Sequence, residues 1–498
     1  MLNRRHLLGL TLGGATALAW PTVFAASGAA PVADLRWLNR ITWGATPAAW
    51  ASLQKLGRER FVEAEIAAPA TDAPQLAALW AGGALGRPLT QVLADAQADQ
   101  KQARRQKGDA RKAARKDLVK QGEEVLGATR ERHLLRAVYS PAQLREQLTW
   151  FWLNHFSVYS RKLLLRWTVA DYDNATVRPR ALGKFTDLVM ATLKSPAMVQ
   201  YLDNEKNMAG QINENFAREL MELHTLGVSG GASGSRYTQA DVQALAQILT
   251  GLTLAKPNQR AERGGWVEGG TAFVPSKHIS GPKTLLGQRI EGGGWDEVER
   301  AVRLLVSQDA CARFLCSKLA LHLVGDDAPK ALVARMEAEW KRTGGDIAAV
   351  MRSLWLAPEL AAHLDGKAND LKDPTQFVVS SLRLLAADGT LMKDASPAVK
   401  WLGQLGQPLF GRITPDGYPV AEESWTGPGQ MLKRLEVAKA MVAQWNDMSG
   451  ARPRWDAGWY ATGVEPLLAA NTRQAIAGAP NDNQRLALLL GSPDWMQR

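Results

Sequence analysis

The sequence predicts a mainly α protein, a multi-helix globular array with a Gly-rich irregular insertion, with room for a small hairpin, at about residues 256–294. Three observations predict it. Apolar residues recur at helical spacing, as in Leu144, Leu148 and Phe151, or Val242, Leu245, Ala246 and Leu249. Start and stop signals frame such stretches: Thr238-Gln239-Ala240-Asp241, Gly344-Gly345-Asp346 and Asp373-Pro374. The 498 residues are 46% apolar and 22% charged, the balance of a globular chain, and show no fixed-period repeat.

The chain opens on Asn3-Arg4-Arg5-His6-Leu7-Leu8, a pattern similar to a twin-arginine export signal. An apolar run from Leu7 to Trp20 and the small-x-small site Val23-Phe24-Ala25 complete it. Residues 1–25 are thus expected to be a signal peptide, and 26–498 one large helical domain, periplasmic or secreted. No later stretch is long and apolar enough to span a membrane. Loss of Arg4 and Arg5 takes the net charge from +11 to +9 (11 − 2), which favours anionic or glycan surfaces of the envelope. Cys311 and Cys316, five apart on a helix, point about 140° apart and cannot bridge, so core thiols are expected.

Residues 33–68 begin with a short helix and a turn. A basic helical arm follows at about 90–136; Lys101 to Arg132 holds eleven Lys/Arg and five Asp/Glu. That composition suits a long exposed helix or a docking arm for an anionic partner. No aromatic residues interleave within it, so nucleic-acid stacking is not expected. Ser140-Pro141-Ala142-Gln143 reads as a capping box ahead of a helix ending at His155-Phe156. His155 extends the buried stripe of that helix, as a core histidine, a ligand or a general base. Residues 181–200 form a helix broken at Ser195-Pro196. The C-terminal part, about 401–498, carries six of the eighteen tryptophans, buried anchors or a platform for sugar.

The central stretch is Asn213 to Gly227. It predicts a helix with Asn213 as N-cap, Gly227 as its left-handed end, and Phe216, Leu220 and Leu223 facing the core. Asn215, Glu219 and Glu222 share a second stripe. Arg218 can bridge Glu214 and Glu222, one turn to either side. If that network is buried, Arg218→Met would cost about 3–5 kcal/mol. His224 points nearly opposite Glu222 and is expected to hold a backbone group.

The strings Arg145-Glu146-Gln147-Leu148, Phe151-Trp152-Leu153-Asn154-His155-Phe156, Ser195-Pro196-Ala197-Met198 and Tyr201-Leu202-Asp203-Asn204 belong together with Asn213 to Val228 and Tyr237 to Val242. In combination they resemble a bacterial exported family known only as domain of unknown function 1800. The likeness covers most of the chain from about Leu35. It departs at Asp416-Gly417-Tyr418-Pro419, where the family has Lys-Gly-Trp-Pro, and at the insertion Ser229 to Arg236. The resemblance implies an exported, mostly helical protein, often encoded beside a second exported protein that is a candidate partner. It implies no activity.

The residues admit two readings. In one, Glu219, Glu222 and His155 are catalytic candidates, and Asp203, Glu219, Glu222 and His155, or alternatively His278, hold a divalent cation for a hydrolase acting in the envelope. In the other, Asn213, Glu214, Asn215, Arg218 and His224 form a structural network in a noncatalytic scaffold or binding factor. Paired carboxylates could also serve acid–base work on a glycan. Gly227-Val228-Ser229-Gly230-Gly231 matches a nucleophile elbow, but a helix precedes it where a strand is required. No zinc, phosphate-loop or dinucleotide motif is present.

Overall fold

The computed structural model describes residues 32–81, 83–228, 230, 237–366 and 370–498. The twin-arginine segment, Ser229 and residues 231–236 lie outside these. The chain is 64% helical and 5% strand.

The first helix, Val32–Ile41, buries Leu35, Trp37, Leu38 and Ile41, and Trp37 donates its indole N–H to the Trp355 carbonyl at 3.0 Å. Thr46 caps the second, Pro47–Ala67, which kinks at Gly57. Glu65 of that helix reaches the next long segment. Its carboxylate accepts from the Leu144 N–H at 2.9 Å and so caps the helix Gln143–His155. The expected capping box is therefore corrected. Ser140 instead accepts from Ala142 N–H at 3.2 Å, and Gln143 donates back to the Ser140 carbonyl at 2.7 Å. A carboxylate from a distant helix replaces the local hydroxyl.

The basic arm is not free. It is two helices, Leu89–Arg105 and Gly108–Tyr139, folded on each other and on the helix Leu165–Asp171. Val92, Ala96, Leu164 and Trp167 form a small apolar cluster beneath them, joined by Leu118 and Val125. Residues 107–117 are nearly all exposed, whereas the stretch from His133 to Val138 is core. Gly122 permits this packing, because a Cβ there would lie 2.9 Å from the Arg166 side chain.

The Gly-rich insertion holds two small sheets. β1 (Leu252–Leu254), β2 (Trp266–Glu268) and β3 (Thr271–Phe273) pair antiparallel in the order β1-β3-β2, with Trp266 opposite Phe273. β4 (Lys283–Leu285) and β5 (Gln288–Ile290) form a hairpin. Asp373 and Gln376 form the capping box of the helix Pro374–Leu385, and Gly344, at φ +64°, ends the helix Lys330–Thr343. One cluster of buried side chains runs from Trp37 to Met496; Cys311 and Cys316 are free thiols within it.

A buried ion network ties the N-terminal third together. Arg178 bonds Glu146 through Nη2 at 2.6 Å and Nε at 3.0 Å, and lies 3.3 Å from Asp72. Arg136 grips Asp72 with two hydrogen bonds of 2.9 and 2.6 Å. Asp173 lies 3.3 Å from His133 and 3.7 Å from Arg132. Three arginines thus face three carboxylates, with every side chain at most 10% exposed.

Candidate functional site

The central helix spans only Asn215–Glu222, with Glu214 at its N-cap. Asn213 is not the N-cap; its side chain accepts from Asn215 N–H at 3.0 Å, in a turn before the helix. After Glu222 the chain widens. His224 N–H bonds the Glu219 carbonyl at 3.1 Å and Leu226 N–H the Met221 carbonyl at 2.8 Å, each reaching back five residues. The wider turn changes which side chains face inward. Phe216, Ala217, Leu220 and Met221 are buried, but Leu223 is only half-buried, and His224 and Thr225 are buried in its place. Gly227, at φ +81°, closes the turn where a Cβ would press on the Phe314 ring at 3.2 Å.

This turn brings His224 to His155. The His155 Nε2–H donates to the His224 carbonyl at 3.0 Å, which leaves Nδ1 as the acceptor. Lys318 fills that position: its Nζ lies 3.2 Å from His155 Nδ1. Lys318 comes from the helix Asp309–Leu323, four residues after Phe314 and four before His322. The rings of Phe151, Trp152, Phe156, Phe185 and Phe314 surround His155, with centroids 4.7–6.5 Å away. Burial, then the Lys318 charge, holds His155 well below its ordinary range, and burial takes His224 to about 3. Burial also pushes the Lys318 ammonium down to about 8, against the pull of Asp416.

Asn154, next to His155, holds the C-terminal loop. Its amide donates to the Tyr418 carbonyl at 2.9 Å and its oxygen accepts from Tyr418 N–H at 2.6 Å. Gly417, at φ +76°, is required there, because a Cβ would collide with the Asn154 carbonyl. The loop presents Asp416, bonded by Arg412 at 2.8 Å and Thr414 at 2.5 Å. Burial opposes ionisation of Asp416, but these donors outweigh it and keep the carboxyl below its usual range. The Asp416 charge acts on Lys318, Glu219 and Tyr201 alike. Tyr201 donates to the Ile413 carbonyl at 2.6 Å. Glu219 is half-buried; burial, then the charge of Glu222, raises its carboxyl above the ordinary range.

The four expected cation ligands do not assemble. Asp203 is taken by Lys162 at 2.8 Å and Lys206 at 2.7 Å; burial opposes its ionisation, but the two lysines hold it low. His155 has both ring nitrogens engaged elsewhere. His278 joins a separate buried group, with Nε2 3.2 Å from Glu297, itself paired with Lys283 at 2.6 Å. Glu219 and Glu222 do remain neighbours. Among the described residues, no group of three or more His, Cys, Asp or Glu is disposed to hold a metal ion.

Arg218 bridges Glu214 at 3.1 Å and Glu222 at 3.5 Å, and also bonds Gln239 at 2.9 Å. These side chains are 38%, 30% and 26% exposed, so the bridge is a surface one. Arg218→Met is therefore expected to change the unfolding free energy by no more than about 1 kcal/mol. Urea unfolding checks this, and a loss near 3 kcal/mol would reinstate the buried network expected from the sequence. Asn213 and Asn215 instead satisfy loop backbone, donating to the Asp203 and Leu202 carbonyls at 3.3 and 3.2 Å.

Sequence reasoning missed Lys318 and gave Asp416 no role. Lys318 had one signal, a lone charge among Leu315, Cys316, Leu319 and Ala320. Asp416 stood out only as a departure from a pattern. The model of one protein family, described as a protein of unknown function (DUF1800), matches residues 36–497. No curated protein and no solved structure matches the chain.

Proposed function

The chain belongs to the DUF1800 family, and from that premise we propose that it is an exported hydrolase of the cell envelope, working by proton transfer at the Lys318–His155 centre. The observation that carries this reading is the 3.2 Å contact between a desolvated amine and an imidazole whose other nitrogen is committed to a carbonyl. Purely structural packing gains little from burying an ammonium beside a neutral ring. A general acid or oxyanion partner gains a great deal. In this reading Lys318 donates its proton toward the leaving group or stabilises negative charge on the substrate. His155 is a positioning residue that holds the ammonium. Glu219, with its raised carboxyl, is the base that activates water, and Asp416 sets the field felt by both.

The test is release of soluble fragments from peptidoglycan sacculi and envelope polysaccharide by the purified mature protein. Release by wild type, lost in Lys318→Met, supports the hydrolase. Absence of release from every polymer would leave the noncatalytic binding factor as the better account.

Export is read from Arg4 and Arg5 before the apolar run. Replacing both with Lys is expected to leave precursor in the cytoplasm, seen on fractionation. Mature protein reaching the periplasm at the wild-type level would overturn export by this route.

A further inference from the structure

Trp455 and Trp459 line a cavity of about 360 Å³, and it shares no residue with the Lys318 centre. That volume is within the roughly 300–1,000 Å³ range of small-molecule sites. Its floor is leucine. Its rim carries Trp455, Tyr460, Asp388, Arg454 and Asp456, and Trp459 forms part of the wall.

The two ring systems at the rim form a corner. Trp455 and Tyr460 lie with centroids 4.5 Å apart and planes 42° from each other, and both are half-buried. The carboxylates are anchored by backbone. Asp456 Oδ1 accepts from Trp459 N–H at 2.9 Å, and Asp388 Oδ1 accepts from Thr390 N–H at 3.0 Å. Each bond fixes its carboxylate at the rim and leaves acceptor capacity over. Arg454 sits 3.9 Å from Asp388 and is 78% exposed, too loose a contact to neutralise it.

We propose that this cavity is a binding site for a neutral pyranose unit of a glycan. The mixture of groups selects that class. Two carboxylates exclude an anion. Arg454 at the rim is poor company for a cation. An apolar ligand would leave the rim carboxylates without partners. Sugar hydroxyls both donate and accept, so they suit Asp388 and Asp456 as acceptors and Arg454 as a donor. The apolar face of a pyranose ring packs on Trp455 or Tyr460.

Saturation-transfer NMR on the mature protein tests this with glucose, galactose and N-acetylglucosamine, and with tetramethylammonium as the cationic control. A single ring is expected to bind with a Kd on the order of 1 mM. The signal from ring protons should disappear in Trp455→Ala and fall at least several-fold in Asp388→Asn, an exposed position where the fold is not at risk. Wild type without signal from any sugar, signal that survives Asp388→Asn undiminished, or preferential binding of tetramethylammonium would each overturn the proposal.

Discussion

Arg178→Met is expected to lower the unfolding free energy by about 3–5 kcal/mol. Arg178 is 3% exposed and gives both Nε and Nη2 to Glu146, which is 2% exposed. Methionine fills most of the volume but leaves Glu146 charged and short of donors in a dry site. The cost is the desolvation of that stranded carboxylate, not the lost attraction alone. The double variant Arg178→Met/Glu146→Gln removes the stranded charge and should recover part of the loss. Urea unfolding of the three proteins gives both values. A single-variant loss within 1 kcal/mol of wild type would show that water reaches the network. The pH dependence has a definite sign. Burial opposes ionisation of Asp173, but His133, Arg132 and Arg136 hold its carboxyl well below the usual range. The folded state therefore binds fewer protons than the unfolded chain in mild acid. This contribution to stability is present above pH of about 4 and is lost as the pH falls below it.

Lys318→Met should cut turnover on a cleaved polymer by about 10²- to 10⁴-fold while leaving the protein folded. Stability separates this from a structural role. Removing a desolvated ammonium in favour of an apolar side chain of similar length is expected to be neutral or stabilising. The pH profile supplies a second readout. With Glu219 as base and the Lys318 ammonium as acid, the rate should rise as Glu219 ionises, above the ordinary carboxylate range, and fall as pH passes about 8. Lys318→Arg keeps the charge but not the titration, so the alkaline limb should move up in pH or vanish. An unchanged alkaline limb in that variant would remove Lys318 from the proton transfer.

Much of the fold could be read from local pattern. Thr238 and Asp241, Asp373 and Gln376, and Gly344 each behave as their spacing dictates, because capping uses groups within three or four residues. Trp266 and Phe273 pair across a hairpin for the same reason. The misses share the opposite cause. Glu65 caps a helix 79 residues on, a partner that no window of sequence contains. The turn after Glu222 reaches back five residues instead of four, and so buries His224 where the stripe had placed Leu223. The basic run of 101–132 is largely the exposed helix expected of it; what local pattern did not show is its small packing surface on Leu164 and Trp167, far along the chain. At the site, the local signal placed His155 and the carboxylates of the central helix correctly within their own elements. It could not say that the imidazole would meet an amine from residue 318.

The paired hydrogen bonds between Asn154 and Tyr418 join positions 264 residues apart. Closing so long a loop carries an entropic penalty that only the completed core can offset. The two contacts flanking His155 thus mature on different schedules. The carbonyl of His224 is available early, whereas the loop bearing Asp416 follows 192 residues later (416 − 224). Any fragment ending before that loop would lack both this part of the core and the carboxylate that tunes Lys318.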